Sequence, residues 1–552
     1  MKINFCPPGQ TQIASLDDVI QDIGACGVFQ GLLVLALHTS IFVSVWGIMM
    51  MAFGSFNPGW VCLDSLLDGI DDGSPLLSTD LTSSNNATEE LNGTDRCSLY
   101  KTCANLSFSS GTSTVASEWG LVCDQAWALK VIFTVQMAGV FVGAYLSGHI
   151  GECVGRKASL YSMILLNGVA NFLAIFSPSW KVFAAIRFFI GLAAGGIMLP
   201  AYAMPPEFAG QFWRGVITSL PTWNFGAALF AISVILLKDW RHLHILSAVV
   251  SGLVFLPVFW VPESFRWLAV HGRDKDATAV VTKIARMNGR PKPSLEILVN
   301  MAECERRRVA VEGSGQYSYL DLFRDSHVRK ATLIMSFVWF SSAIVYYGIS
   351  FNVQALSGDY YINFLILSVI ELPSPLICFP TVTYFSRRWG TAFLFFIVSV
   401  ACFGITIVTL ALESDKEDES RKVTIVVTLA SVAKIAIVSS WAVVALFCAE
   451  LFPTAVRNLG FGFINSLARL GSYVGPMLFP QDPALLYLAM IVLGVLNLVC
   501  SVLHLLLPET KGKPLEDILR SKALHLRIDG MALTKKQNGE EMEEEENHSY
   551  QA

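Results

Sequence analysis

The chain has 552 residues, of which 53% are hydrophobic and 15% charged, with a mean hydropathy of +0.53. A soluble chain carries roughly 25% charge, so this composition excludes an ordinary soluble protein and points to one that crosses a membrane many times. The net charge of −5 says little, because the charges are segregated along the chain.

Residues 1–28 lack the basic start and short apolar core of a cleavable signal, and are expected to be a cytoplasmic N-terminus. The first apolar run, 29–53, meets the length of about 20 residues needed to span the hydrocarbon core, and is expected to stay as a signal anchor. Residues 54–128 hold ten Asp/Glu against Arg96 and Lys101, the sequons at Asn86, Asn92 and Asn105, and Cys62, Cys97, Cys103 and Cys123. Sequons with cysteines predict a glycosylated, oxidised extracellular loop. Four cysteines allow three pairings, and the sequence does not choose among them. Further apolar runs fall near 129–149, 158–176, 181–202, 215–237 and 242–261, completing a first group of six over 129–261.

Residues 262–330 carry thirteen Lys/Arg, including Arg306, Arg307 and Arg308. Cytoplasmic loops hold such a basic excess, so this loop is placed inside and both termini with it. A second group of six runs lies within 331–507, near 331–350, 361–384, 391–412, 423–447, 459–479 and 484–507. The remainder, 508–552, ends in the acidic "GEEMEEEENHSYQA", read as a solvated cytoplasmic tail.

The two groups repeat. "EFAGQFWR" sets Glu207 seven residues before Arg214, and "ELFPTAVR" sets Glu450 seven before Arg457. "PES" at 262–264 matches "PET" at 508–510, and "GRK" at 155–157 is echoed by "SRR" at 386–388. Such repetition predicts a duplicated six-helix unit, with substrate near the midplane between the halves.

With these motifs in view, the chain resembles the major facilitator superfamily. "STVASEWGLVCD" (113–124), the cysteine-rich first loop, "PESFRWL" (262–268), "VWFSSAIVYYG" (338–348) and "AELFPTAVRNLG" (449–460) resemble the solute carrier 22 family of organic cation, anion and zwitterion transporters. The resemblance implies an all-α fold of twelve transmembrane helices in two pseudo-symmetric bundles, and a plasma-membrane carrier working by alternating access. Coupling to sodium or protons is left open.

Arg187, Glu371, Lys434 and Arg469 sit inside predicted spans. A charge at mid-membrane costs about 2.5–3.5 kcal/mol on insertion scales, so such groups face a bundle interior or a wet cavity. Glu371 lies where the resemblance places the acidic residue of the cation and carnitine branches. Pro373 and Pro375 beside it are expected to break the helix and free backbone carbonyls. Arg469 matches a position that is arginine in anion and carnitine carriers and usually aspartate in cation carriers. A guanidinium grips a carboxylate through two parallel hydrogen bonds, so Arg469 is assigned to a substrate carboxylate. The alternatives are a fixed salt bridge with Glu371 or a lining charge that never meets substrate.

Lys434, Tyr346, Tyr347 and Trp223 complete the candidate binding set, the aromatics by offering faces to ammonium groups or flat anions. Lys434 also fits a structural or gating role, and Arg187 reads as structural. Trp223 and Trp441 fit a lipid-facing position as well. Trp339 fits an interface anchor, and His38 a satisfied core histidine.

Gating is assigned to Glu152, Arg156, Lys157, Glu207, Arg214, Glu450 and Arg457. The family's G-x-x-x-D-R-x-G-R-R/K motif here reads "GHIGECVGRK" (148–157), with Glu152 and Cys153 in place of aspartate and arginine. That departure is expected to weaken the inner latch.

No nucleotide loop, metal cluster or nucleophile motif is seen, so no enzyme, cofactor, metal or nucleic-acid partner is expected. The leading reading is a carrier of small organic zwitterions, carnitine-like, or of organic anions. The alternatives are an organic cation uniporter and a surface protein that has lost transport.

Overall fold

A computed structural model of the chain describes residues 20–58, 60–62, 106–108, 111–218, 220–291, 319–351, 353, 359–411, 419–452, 456–479 and 486–511. The three outer sequons, Cys97, Cys103, Arg306–Arg308 and the acidic tail lie outside them, as do the side chains of Glu152 and Arg457.

Six long helices make the first half: α1 (Val28–Gly54), α2 (Trp127–Cys153), α3 (Arg156–Ala174), α4 (Trp180–Glu207), α5 (Thr222–Leu237) and α6 (Trp240–Phe255), the last extended by a 3-10 turn at Leu256–Phe259. The second half repeats them: α7 (Ser326–Phe351), α8 in two pieces, α8a (Tyr360–Val369) and α8b (Ser374–Thr383), then α9 (Arg387–Ala411), α10 (Glu419–Leu451), α11 (Arg457–Met477) and α12 (Leu486–Leu505). Nine helical stretches among the described residues are long and apolar enough to cross a membrane. The other three spans are α3, α5 and α11, which carry more polar residues or are shorter. Leu165, Phe172, Leu253, Phe393, Val400 and Val502 leave large apolar side chains exposed on the outward faces of α3, α6, α9 and α12. An apolar belt of this breadth suits lipid rather than water.

Helix starts are set by local chemistry. Asp239 accepts from the Arg241 N–H at 2.7 Å and Asp359 from the Ile362 N–H at 2.9 Å, capping α6 and α8a. Glycines let two helix pairs close on each other. A Cβ at Gly139 or Gly143 of α2 would strike the carbonyls of Phe188 and Leu192 on α4. Gly191 and Gly195 meet Gln136 and Val140 in the same way, as do Gly471 and Gly475 of α11 with Phe340 and Ile344 of α7.

Within the first half α4 packs on α1, α2 and α3, and α1 on α5 and α6; within the second, α7 packs on α10, α11 and α12, and α9 on α10 and α12. The halves meet where α5 touches α8a, α2 touches α11 and α1 touches α7. One end of this assembly carries the acidic 54–128 loop and the other the basic 262–330 loop.

At the acidic-loop end the halves are bolted together. Phe56 stacks on Tyr360 with centroids 4.1 Å apart, the Tyr360 hydroxyl donates to the Ala52 carbonyl at 3.1 Å, and the Thr112 and Tyr361 hydroxyls are 2.8 Å apart. Glu118 of the "STVASEWG" turn holds Arg241 through two hydrogen bonds of 2.7 and 2.8 Å. The three-residue strands β1 (Trp60–Cys62) and β2 (Leu106–Phe108) pair antiparallel. Cys123 is disulfide-bonded.

Candidate functional site

Two helix interruptions meet at mid-membrane. The fifth span is broken between the short helix Gln211–Thr218 and α5, which puts Trp223 and Asn224 at the first turn of α5. The eighth span is broken between Val369 and Ser374, as Pro373 and Pro375 lead one to expect, and Glu371 sits in the gap. The Asn224 side-chain amide crosses between the halves to donate to the Glu371 carbonyl at 2.8 Å and the Ser374 hydroxyl at 3.0 Å. The Glu371 carbonyl also accepts from the Ser374 backbone N–H at 3.1 Å, so the break is held from both its own span and the opposite half.

The Glu371 side chain does not pair with Arg469. Its partner is Lys434 on α10, with Nζ 3.2 Å from Oε1 and both side chains 2% exposed. Lys434 also donates to the Ser350 hydroxyl and lies 3.9 Å from the centre of the Tyr346 ring. Tyr346 donates to Glu371 Oε2 at 3.3 Å and accepts from the Trp223 indole N–H at 2.6 Å. Tyr347 stands edge-on to Tyr346 at 5.1 Å, and Trp441 approaches the same ring at 6.1 Å. Trp223 and Trp441 are thus turned inward rather than to lipid. Trp339 is likewise no interface anchor: it is buried, packed against Trp441 and Phe461.

Arg469, at the middle of α11, has no carboxylate in salt-bridge range among the described residues. Its Nε is buried without a hydrogen-bond partner, its Nη2 points at the Met198 sulfur 3.9 Å away, and the guanidinium faces the Tyr347 hydroxyl. The charges of this buried cluster therefore sum simply. Glu371 and Lys434 cancel, and one guanidinium is left over.

Arg187 and His38 are held by partners within the first half. Arg187 is fully buried inside the first half, donating to Gln136 Oε1 and, at 2.7 Å, to the Gly47 carbonyl. His38 is satisfied by the Thr222 hydroxyl at 2.6 Å.

At the basic-loop end, each half is laced by a matched set of charges. Glu263 of "PES" accepts from the backbone N–H groups of Arg156 and Lys157 at 3.0 and 3.2 Å, capping α3. Glu509 of "PET" does the same for Arg387 and Arg388 at 3.0 and 3.2 Å, capping α9. A carboxylate at a helix N-terminus meets both the orphan donors and the positive end of the dipole. Burial opposes the charge on Glu509. Hydrogen bonds from the Lys511 backbone, the Ser386 hydroxyl and the Arg388 and Arg387 backbones outweigh it and hold the carboxyl below its usual range.

Arg156 lies 3.8 Å from Glu207, and Arg387 3.2 Å from Glu450. Arg214 donates to the carbonyls of Pro206 and Ala209. Sequence reasoning missed Glu263, Glu509 and Thr510, whose hydroxyl donates to Glu450 at 2.6 Å. The signal was the repeated "PE[ST]" itself, matched as a repeat but not read as a cap. Cys153, in place of the family's arginine, lies 3.8 Å from His149.

Two broken spans around a buried ion pair, inside two matched six-helix halves, define a multi-pass membrane transporter of the major facilitator type. The fold agrees with the E. coli xylose transporter XylE in a partially occluded inward-open conformation, at a TM-score of 0.58 and 15% identity, covering 90% of this chain and all of that one. Residues 81–521 match the family model "Sugar (and other) transporter". A Drosophila melanogaster beta-alanine transporter is 31% identical over 74% of this chain and 66% of its own length. The D. melanogaster organic cation transporter protein is 30% identical over 76% of each chain, and human organic cation/carnitine transporter 2 is 27% identical over 76% and 73%. The chain belongs to the sugar (and other) transporter family and, within it, to the solute carrier 22 transporters.

Proposed function

We propose that this transporter moves small organic ions that carry a carboxylate, as anions or as amino-carboxylate zwitterions, with Arg469 gripping the carboxylate. One observation carries the reading: Glu371 is spent on Lys434, whereas Arg469 retains a buried, unpartnered Nε. A bare cation entering such a cavity meets a net positive site, and a carboxylate meets its complement. Tyr346, Tyr347 and Trp223 offer aromatic faces to the ammonium of a zwitterion or to a flat anion. The names of the beta-alanine and carnitine relatives agree with a carboxylate-bearing cargo.

The oxidised Cys123, the sequons of the 54–128 loop and the basic 262–330 loop support a plasma-membrane orientation with the basic-loop end in the cytoplasm. The matched Glu263 and Glu509 sets then act as cytoplasmic braces that keep each half rigid while the halves rock.

The test is uptake by expressing cells of a labelled amino-carboxylate, an aromatic carboxylate and a quaternary ammonium without a carboxylate. Each is measured at two pH values, with and without sodium, which also names any coupling ion. Uptake confined to the quaternary ammonium overturns the reading, and no uptake of any of the three favours a surface protein that has lost transport.

A further inference from the structure

Beyond the transport site, a second group of charges lies at the basic-loop end. The helix Asp274–Met287 follows α6 and turns Val281, Ile284 and Ala285 into the protein. Its far end is fastened to α1, because Asn288 accepts from the Phe29 N–H at 3.1 Å and donates to the Ile23 carbonyl at 3.0 Å. Lys283 donates to the Trp260 carbonyl at 2.7 Å and lies 5.2 Å from the centre of that indole. Trp260 ends the last turn of α6 and packs on Phe29 at the start of α1, with centroids 5.3 Å apart. Phe259, beside Trp260, is 87% exposed and closes the lipid-facing belt of α6, so the helix is pinned at the membrane surface.

Its outer stripe is Lys275, Thr278, Ala279, Thr282, Lys283 and Arg286, which line an open groove of about 430 Å³. Lys157, at the start of α3, adds a fourth cation near Lys283. Burial, and then the nearby Lys157 ammonium, push Lys283 below the ordinary lysine range. Among the described residues none of the four cations has a carboxylate partner, and Asp276 is taken by Arg273 at 2.8 Å. Like charges gathered without a counter-charge at headgroup depth are stabilised by an anion from the leaflet.

We propose that this groove binds the phosphorylated headgroup of a phosphoinositide from the leaflet that α6 reaches at Trp260. Several phosphates on one ring match several cations on one stripe.

The test uses the full chain in phosphatidylcholine nanodiscs, titrated with a fluorescent phosphatidylinositol bisphosphate. Competitors are phosphatidylserine, soluble inositol trisphosphate and a peptide of residues 539–552. The lipid is expected to bind, phosphatidylserine to compete weakly, and Lys275→Gln/Lys283→Gln/Arg286→Gln to weaken binding about tenfold or more. Should loss of the Lys283–Trp260 contact disturb folding, Lys275→Gln/Arg286→Gln, at two exposed positions, carries the test with a several-fold loss. Unchanged binding by a folded variant overturns the proposal. So does soluble inositol trisphosphate competing as tightly as the lipid, which makes the groove a solute site. Displacement of the lipid by the acidic peptide at equal concentration reassigns the groove to the chain's own tail and also overturns it.

Discussion

Replacing Lys434 by methionine tests the charge balance of the cavity directly. Glu371 would then keep only the Tyr346 hydroxyl at 3.3 Å, while 2% exposed. Removing one partner of a buried ion pair costs about 3–5 kcal/mol, because the survivor is left desolvated and uncompensated, whereas removing both is often neutral or stabilising. Lys434→Met is therefore expected to lower the melting temperature and surface expression sharply. Glu371→Gln/Lys434→Met is expected to recover both. Uptake should follow the same pattern for a second reason. In the single variant an unpaired carboxylate shares the cavity with Arg469 and repels a carboxylate substrate; in the double variant the guanidinium again stands alone. The assay is a double-mutant cycle on thermal stability in nanodiscs, with uptake measured per copy at the surface. Additive losses, with the double variant as unstable as the sum of the singles, would refute the pairing and the charge sum built on it.

Two further outcomes follow from the braces and the closed end. Glu509 has a folded-state pKa below its usual value of 4.5, so the stability it contributes is present above that value and is lost as pH falls through the lower, folded one. Melting temperatures followed from neutral to strongly acidic pH should fall more steeply in the wild type than in Glu509→Gln, which lacks that term and is already less stable at neutral pH. At the acidic-loop end, Thr112→Cys/Tyr361→Cys joined by a short bis-maleimide linker ties the two halves where their hydroxyls are now 2.8 Å apart. Transport should stop on linkage and persist in either single variant; undiminished uptake by the linked protein would show that this contact does not open in the cycle.

Much of this architecture is legible in the chain because the bilayer allows few solutions. Apolar runs of the required length can only be helices, and two closely spaced prolines, Pro373 and Pro375, break one, although single prolines such as Pro200 and Pro476 sit inside continuous helices. The repeated Glu-x6-Arg and "PE[ST]" motifs expose the duplication. Pairing is a different matter. Whether Glu371 meets Lys434 or Arg469 depends on the rotation of α8, α10 and α11 about their axes, which residue spacing does not report. Of the two, only Arg469 is named as a partner of Glu371 from the sequence, and the bond to Lys434 is what frees Arg469. The same ambiguity hid Trp339 and Trp441, since a tryptophan near a helix end suits lipid headgroups and a packed interior equally. Glu263 and Glu509 were missed because their partners are backbone N–H groups more than a hundred residues away, which leave no side-chain signature.

The most direct measurement is uptake of a matched pair of labelled substrates, an amino-carboxylate and its amide, by the wild type, Arg469→Ala and Arg469→Lys at equal surface expression. A charge-assisted bidentate contact is worth about 1.5–3 kcal/mol, so Arg469→Ala should lower carboxylate uptake about ten- to a hundredfold. Arg469→Lys should restore part of it, and uptake of the amide should change little. Carboxylate uptake that survives Arg469→Ala, or amide and carboxylate falling together, would contradict the account.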